Sequence, residues 1–187
     1  MRKLILFVVL LCALGSAAFL AEADTSTADA GLTPASLAPG SPDVTQSVDL
    51  GSGYTATYDL SNVQVSGGPY APTGCSRTTA NVTYVYLGTI TEWTMTHATT
   101  VCYASYKIQS VKENVVYSSS SCCGWSWVDM DYRYRDPEVL PASPVEFHAQ
   151  GQFQWCAGPI CIRTMHPGSI FRINGNGIVT GYQWWLG

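Results

Sequence analysis

The residues best suited by type and spacing to do chemistry lie between Gly124 and Arg135. Trp125, Trp127, Asp129, Asp131, Arg133 and Arg135 recur at every second position, with Ser126, Val128, Met130, Tyr132 and Tyr134 between them. In an extended strand alternate side chains point to opposite faces. One face would then carry two indoles and four ions. Four unpaired ions are costly to bury, so that face is expected to meet solvent. Indoles beside carboxylates suit a sugar: the flat ring covers the C–H face of a pyranose, and the carboxylates accept from its hydroxyls. Trp125, Trp127, Asp129 and Asp131, with Trp185 near the C-terminus, are the candidate ligand-binding residues. The plainer alternative has Asp and Arg pairing across strands while a loop covers the indoles. Two carboxylates can also perform glycoside hydrolysis. Here, however, Asp129 and Asp131 stand about 6.5–7 Å apart simply because they are two residues apart on a strand.

A second stripe, His148, Gln150, Gln152 and Gln154, alternates with Phe147, Ala149, Gly151, Phe153 and Trp155. Long amides with a histidine could hold a polyol, or could simply wet a sheet face. Near the C-terminus Tyr182, Trp184 and Leu186 alternate with Gln183 and Trp185. If Tyr182 and Trp184 fill the core, Trp185 is left on the surface or at an interface.

No motif assigns a catalytic residue or a family. H-E-x-x-H, G-x-S-x-G and a phosphate loop do not occur. His97 lies on the Trp93 and Met95 side of its strand and reads as a core histidine, and His166, before Pro167-Gly168, as a turn residue. Asp129, Asp131 and Asp136 do not follow the calcium-loop spacing. No metal set and no cofactor is expected. Asn81-Val82-Thr83 is a glycosylation sequon, and Thr94, Thr96 and Thr100 read as a plain solvent face.

These residues must be positioned by strands. The 187-residue chain is 12% charged and 47% hydrophobic, with eleven Tyr, six Trp and five Phe, a composition that favours strands over helices. No long window shows an apolar helical repeat after the N-terminus. The expected fold class is all-β: a single antiparallel β-sandwich or barrel of about nine strands. Asn174-Gly175-Asn176-Gly177 should turn a hairpin, and Lys112-Glu113-Asn114 another.

Arg2 and Lys3, the apolar run Leu4 to Leu14, and Ala21-Glu22-Ala23 compose an export signal over residues 1–23. Cleavage after Ala18 and a retained anchor are the alternatives. Residues 24–46 lack aromatics and are rich in Ala, Ser, Thr, Pro, Gly and Asp, the composition of a flexible spacer or propeptide. The β domain is expected over residues 47–187. Losing Arg2, Lys3 and Glu22 from nine basic and thirteen acidic residues leaves a formal charge of −5. With no basic stripe, nucleic acid is excluded as a partner, and so is a membrane after signal cleavage.

Cys75, Cys102, Cys122, Cys123, Cys156 and Cys161 remain, an even count that reads as three disulfides. Cys156 and Cys161 flank a four-residue turn and should pair. Adjacent strand residues face opposite ways, so Cys122 and Cys123 are expected to reach Cys75 and Cys102. The expected protein is therefore secreted and non-catalytic, binding carbohydrate or a wall polymer through exposed aromatics. One alternative is an effector or inhibitor that binds an extracellular protein through the Cys156–Cys161 or Gly67–Gly74 loop. The other is a hydrolase whose site has no motif.

Overall fold

The computed structural model describes residues 32–67, 72–120 and 123–187. The expected export signal, residues 24–31 of the expected spacer, residues 68–71 of the Gly67–Gly74 loop, and Cys122 lie outside the described residues.

The described chain is all-β, with eleven strands in two antiparallel sheets. The five-stranded sheet takes β2 (Val44–Gly51), β3 (Tyr54–Ser66), β4 (Thr73–Tyr86), β5 (Ile90–Ala104) and β6 (Lys107–Ser120) in chain order. The six-stranded sheet contains β1 (Thr33–Leu37), β7 (Trp125–Asp136), β8 (Val145–Ala157), β9 (Ile160–Met165), β10 (Gly168–Ile173) and β11 (Val179–Trp185). Its order is β1-β11-β10-β8-β7, with β9 pairing the far end of β8. Alternation decides which residues meet between the sheets. Tyr58, Leu60, Val82, Tyr84, Trp93 and Met95 face Phe147, Phe153, Phe171, Ile173 and Val179. Each fully buried side chain of this size contributes about 1.5–3 kcal/mol through removal of apolar area from water.

Polar side chains also tie the layers together. The buried Asn62 on β3 donates from Nδ2 to the carbonyls of Leu37 (3.1 Å) and Gly177 (2.7 Å), so it holds both β1 and the β10–β11 turn. That turn is the expected Asn-Gly hairpin. Asn174 Oδ1 accepts from the Asn176 and Ile178 amides, and Gly177 has φ +74°.

Three expectations are corrected. The domain starts before residue 47: β1 pairs with β11, β2 begins at Val44, and Leu37 is buried in the core. A short edge strand needs only its backbone and one apolar side chain to dock, so a segment without aromatics can still join the sheet. Lys112-Glu113-Asn114 is no hairpin, because β6 runs straight through it with Lys112 in a bulge. The β5–β6 turn falls at Ser105 and Tyr106, both at positive φ, as a two-residue hairpin of the twist-matching type requires. Cys75 bonds Cys102, not Cys122 or Cys123, because the β4–β5 register sets the two opposite each other. Cys156–Cys161 closes the β8–β9 hairpin as expected. Cys123 is disulfide-bonded too. Disulfides of this kind are compatible with an oxidising, extracellular setting.

Candidate functional site

Strand β7 does not keep the simple alternation of its sequence. Against β8 it pairs Trp127 with Phe153, Asp129 with Gln152, Met130 with Gly151, and Tyr132 with Gln150. The register therefore slips at Val128 and again at Asp131. Each β-bulge adds one residue and re-phases everything beyond it. The core side of β7 thus carries Trp125, Trp127, Met130, Arg133 and Arg135. Asp129, Asp131, Tyr132 and Tyr134 go to the outer face.

The expected exposed pair of indoles is overturned. Trp125 is only 7% exposed and packs edge-on against Trp93 and Tyr84. Its indole N–H donates to Glu92 at 2.7 Å. Trp127 is half-buried and lies edge-on to Phe153. Its ring lies over Gly151, where an added Cβ would come within 2.1 Å. The physical reason is the pair of bulges: they let Asp129 and Asp131 turn outward without taking the indoles along. Trp125 and Trp127 are core and rim residues.

The outer face of the six-stranded sheet brings the other candidates together. His148, Gln150, Gln152 and Gln154 face outward from β8, as their alternation predicts. Trp185 sits opposite Gly168, and its ring lies so close over that glycine that a Cβ there would be 2.0 Å away. The indole is thereby laid along the sheet surface. Gly168 pairs on its other side with Gln150, and Gln150 with Tyr132. Asp131 Oδ2 accepts from Gln150 Nε2 at 2.9 Å and from His166 Nδ1 at 2.7 Å. These two bonds hold Gln150 and His166 around one oxygen of Asp131. Asp129 is exposed, and its Oδ1 accepts from the Met130 amide.

One row further along, Tyr134 stacks on His148 with ring centroids 4.4 Å apart and planes 10° from parallel. It lies 5.7 Å from the Tyr132 ring. Glu146 joins His148 Nε2 at 3.2 Å and holds the Arg172 guanidinium. Burial raises the Tyr132 phenol above its ordinary range, with Tyr134 and Asp131 adding to the shift, so it stays neutral. The face is aromatic at its margins and rich in hydrogen-bonding groups between them. Tyr132, Tyr134 and His166 were missed as site residues. Tyr132 directly after Asp131 was the available signal, but strict alternation hid it by sending both tyrosines inward.

Two other constellations are structural in their placement. His97 is fully buried; its Nδ1 lies 3.0 Å from Ser169 Oγ and its Nε2 3.0 Å from Asn114 Oδ1. Asn114 Oδ1 also accepts from Thr99, so Nε2 bears the hydrogen and Nδ1 accepts from Ser169. Burial lowers its pKa to about 4, with the Asn114 bond opposing that shift. This serine–histidine–asparagine chain resembles a nucleophilic triad in composition, yet it is sealed between the sheets. At one end of the sandwich Glu92 is buried beside Trp125, and Arg163 stands over the Tyr84 and Trp125 rings. Burial raises the Glu92 carboxyl, partly offset by the Trp125 N–H and by Arg163. Among the described residues no group of three or more His, Cys, Asp or Glu is placed to share a metal ion.

No protein-family model, curated protein or solved structure matches this chain.

Proposed function

We propose that this chain is a secreted, non-catalytic domain that binds carbohydrate on the outer face of its six-stranded sheet. The observation behind this reading is the Trp185 indole laid over Gly168 beside the Gln150–Asp131–His166 group. A flat apolar ring next to fixed acceptors and donors is what a pyranose needs: its axial C–H groups lie on the ring while its hydroxyls meet the polar groups. Tyr132 and Tyr134 extend the platform, and Tyr134 is 47% exposed. The disulfides and the export signal read from the N-terminus support secretion.

The test is retention of the full secreted chain on immobilised neutral polysaccharides and cell-wall polymers, with Trp185→Ala and, as a control away from the face, Tyr106→Ser. Retention of wild type and Tyr106→Ser with about tenfold weaker retention of Trp185→Ala supports the reading. Equal retention of all three, or none on any polymer, rejects it.

A second reading has one favouring observation. On the disulfide-closed β8–β9 hairpin, Ile160 and Ile162 are 63% and 66% exposed. A covalently braced apolar loop loses little entropy on docking to a protein. Inhibition of a secreted hydrolase in a screening panel that disappears in Ile162→Asp would favour this reading.

A further inference from the structure

We infer that the outer face takes an internal stretch of a linear glycan, lying across the strands and contacting about three consecutive rings, not a monosaccharide or a chain end. This inference rests on the carbohydrate reading above and specifies the ligand of that same site.

The register sets the geometry. Trp185, Gly168, Gln150 and Tyr132 are successive partners in one row across β11, β10, β8 and β7. The Trp185 ring covers Gly168, so the indole platform stands over β10. Tyr132 stands on β7, two strands away, about 10 Å at the usual strand spacing. The span between the platforms is bridged by Gln150 and by Asp131, which reaches over it to His166. An apolar–polar–apolar row of this length matches a chain whose first and third rings stack while the middle ring is held through its hydroxyls. In a β-1,4-linked chain alternate rings present the same face, so two platforms at this separation are engaged together.

Among the described residues both ends of the row are open. β7 is the edge strand of its sheet, so the row runs off the surface at Tyr132. At the other end the described residues of β1 pair β11 at Val179, Gly181 and Tyr182, short of Trp185. A chain-end site needs a wall at one terminus, and this row has none among the described residues. The tyrosine platform is also stiffened before binding, since Tyr134 stacks on His148 and contacts Tyr132. Pre-ordered rings reduce the entropy lost on binding.

The test is calorimetric titration of the full secreted chain with gluco-, manno- and xylo-oligosaccharides, all β-1,4-linked, of one to six rings. Parallel samples have the reducing end converted to the alditol, and the parent polymers are run alongside. The expected result is no measurable binding for one or two rings, then a gain of about tenfold or more between two and four rings and a plateau beyond. Reduced and unreduced tetramers should bind alike. Trp185→Ala and Tyr132→Ser should each abolish the gain with chain length. Binding of a single ring as tight as that of a tetramer, or binding lost on reduction of the chain end, overturns the inference and leaves the carbohydrate reading standing. Binding of no oligomer and no parent polymer overturns both.

Discussion

The Trp125 indole donates to the Glu92 carboxylate at 2.7 Å and so joins the start of β7 in one sheet to the start of β5 in the other. Arg163 covers the same indole and bonds the Tyr84 hydroxyl at 3.2 Å. Trp125→Phe keeps most of the apolar volume but strips Glu92 of that donor. A buried acceptor left without its partner costs about 1–3 kcal/mol. Urea unfolding of Trp125→Phe should show that loss, with glycan retention unchanged in the folded protein. Full stability in the variant would mean the bond contributes nothing.

His97 predicts an acid-sensitive core. Its folded pKa of about 4 lies below the 6.5 of the unfolded chain, so between those values the unfolded state binds the extra proton. Stability is fully present above pH 6.5 and falls as pH drops toward 4, by roughly 3 kcal/mol in all. Glu92 acts in the opposite sense: its raised carboxyl adds stability as pH falls through its folded value. Unfolding curves from pH 7.5 to 4.5 for wild type and Glu92→Gln separate the two. Removal of Glu92 should steepen the acid loss, and His97→Gln should flatten it.

Two glycines should respond differently to alanine. At Gly175 a Cβ would stand 1.7 Å from the Tyr106 carbonyl oxygen, a backbone atom that cannot swing aside. Gly175→Ala should cost about 3 kcal/mol or more, the upper range of overpacking. At Gly168 the clash is with the outer part of the Trp185 ring, at the end of its strand, where the indole can lift away. Gly168→Ala should leave the melting temperature nearly unchanged while altering tryptophan fluorescence and weakening glycan retention.

The two described disulfides close loops of different size. With a sequence separation of 27, Cys75–Cys102 should contribute about 3.5 kcal/mol through restriction of the unfolded chain. Cys156–Cys161, separated by five, should contribute about 2 kcal/mol. Double alanine variants measured by denaturant unfolding should follow that order, and unreduced peptide mapping should recover both pairs.

Where a segment keeps one period from end to end, its faces are legible without coordinates. β8 is such a segment: His148, Gln150, Gln152 and Gln154 face out while Phe147 and Phe153 face in. The Asn174–Gly177 turn and the Cys156–Cys161 closure are equally legible, because both depend only on residues a few positions apart. β7 is not. Its bulges at Val128 and Asp131 exist only relative to β8, so the alternation that is sound for β8 misplaces Trp125, Trp127, Tyr132 and Tyr134. Asn114 looked like a turn residue because it is polar, yet its amide oxygen is the partner of a histidine on the neighbouring strand.

Local chemistry along the chain settles that this is a disulfide-bearing sandwich of antiparallel strands, since turn residues, side-chain period and composition all act over a few residues. Register decides the rest. It alone sets Cys75 against Cys102, turns the β7 indoles into the core, and lines up Trp185, Gln150 and Tyr132 from three distant segments. Pairing energies between strands are collective, and a slip of one residue reverses every face. That outcome is recorded in the packed sheets and in no single stretch of residues.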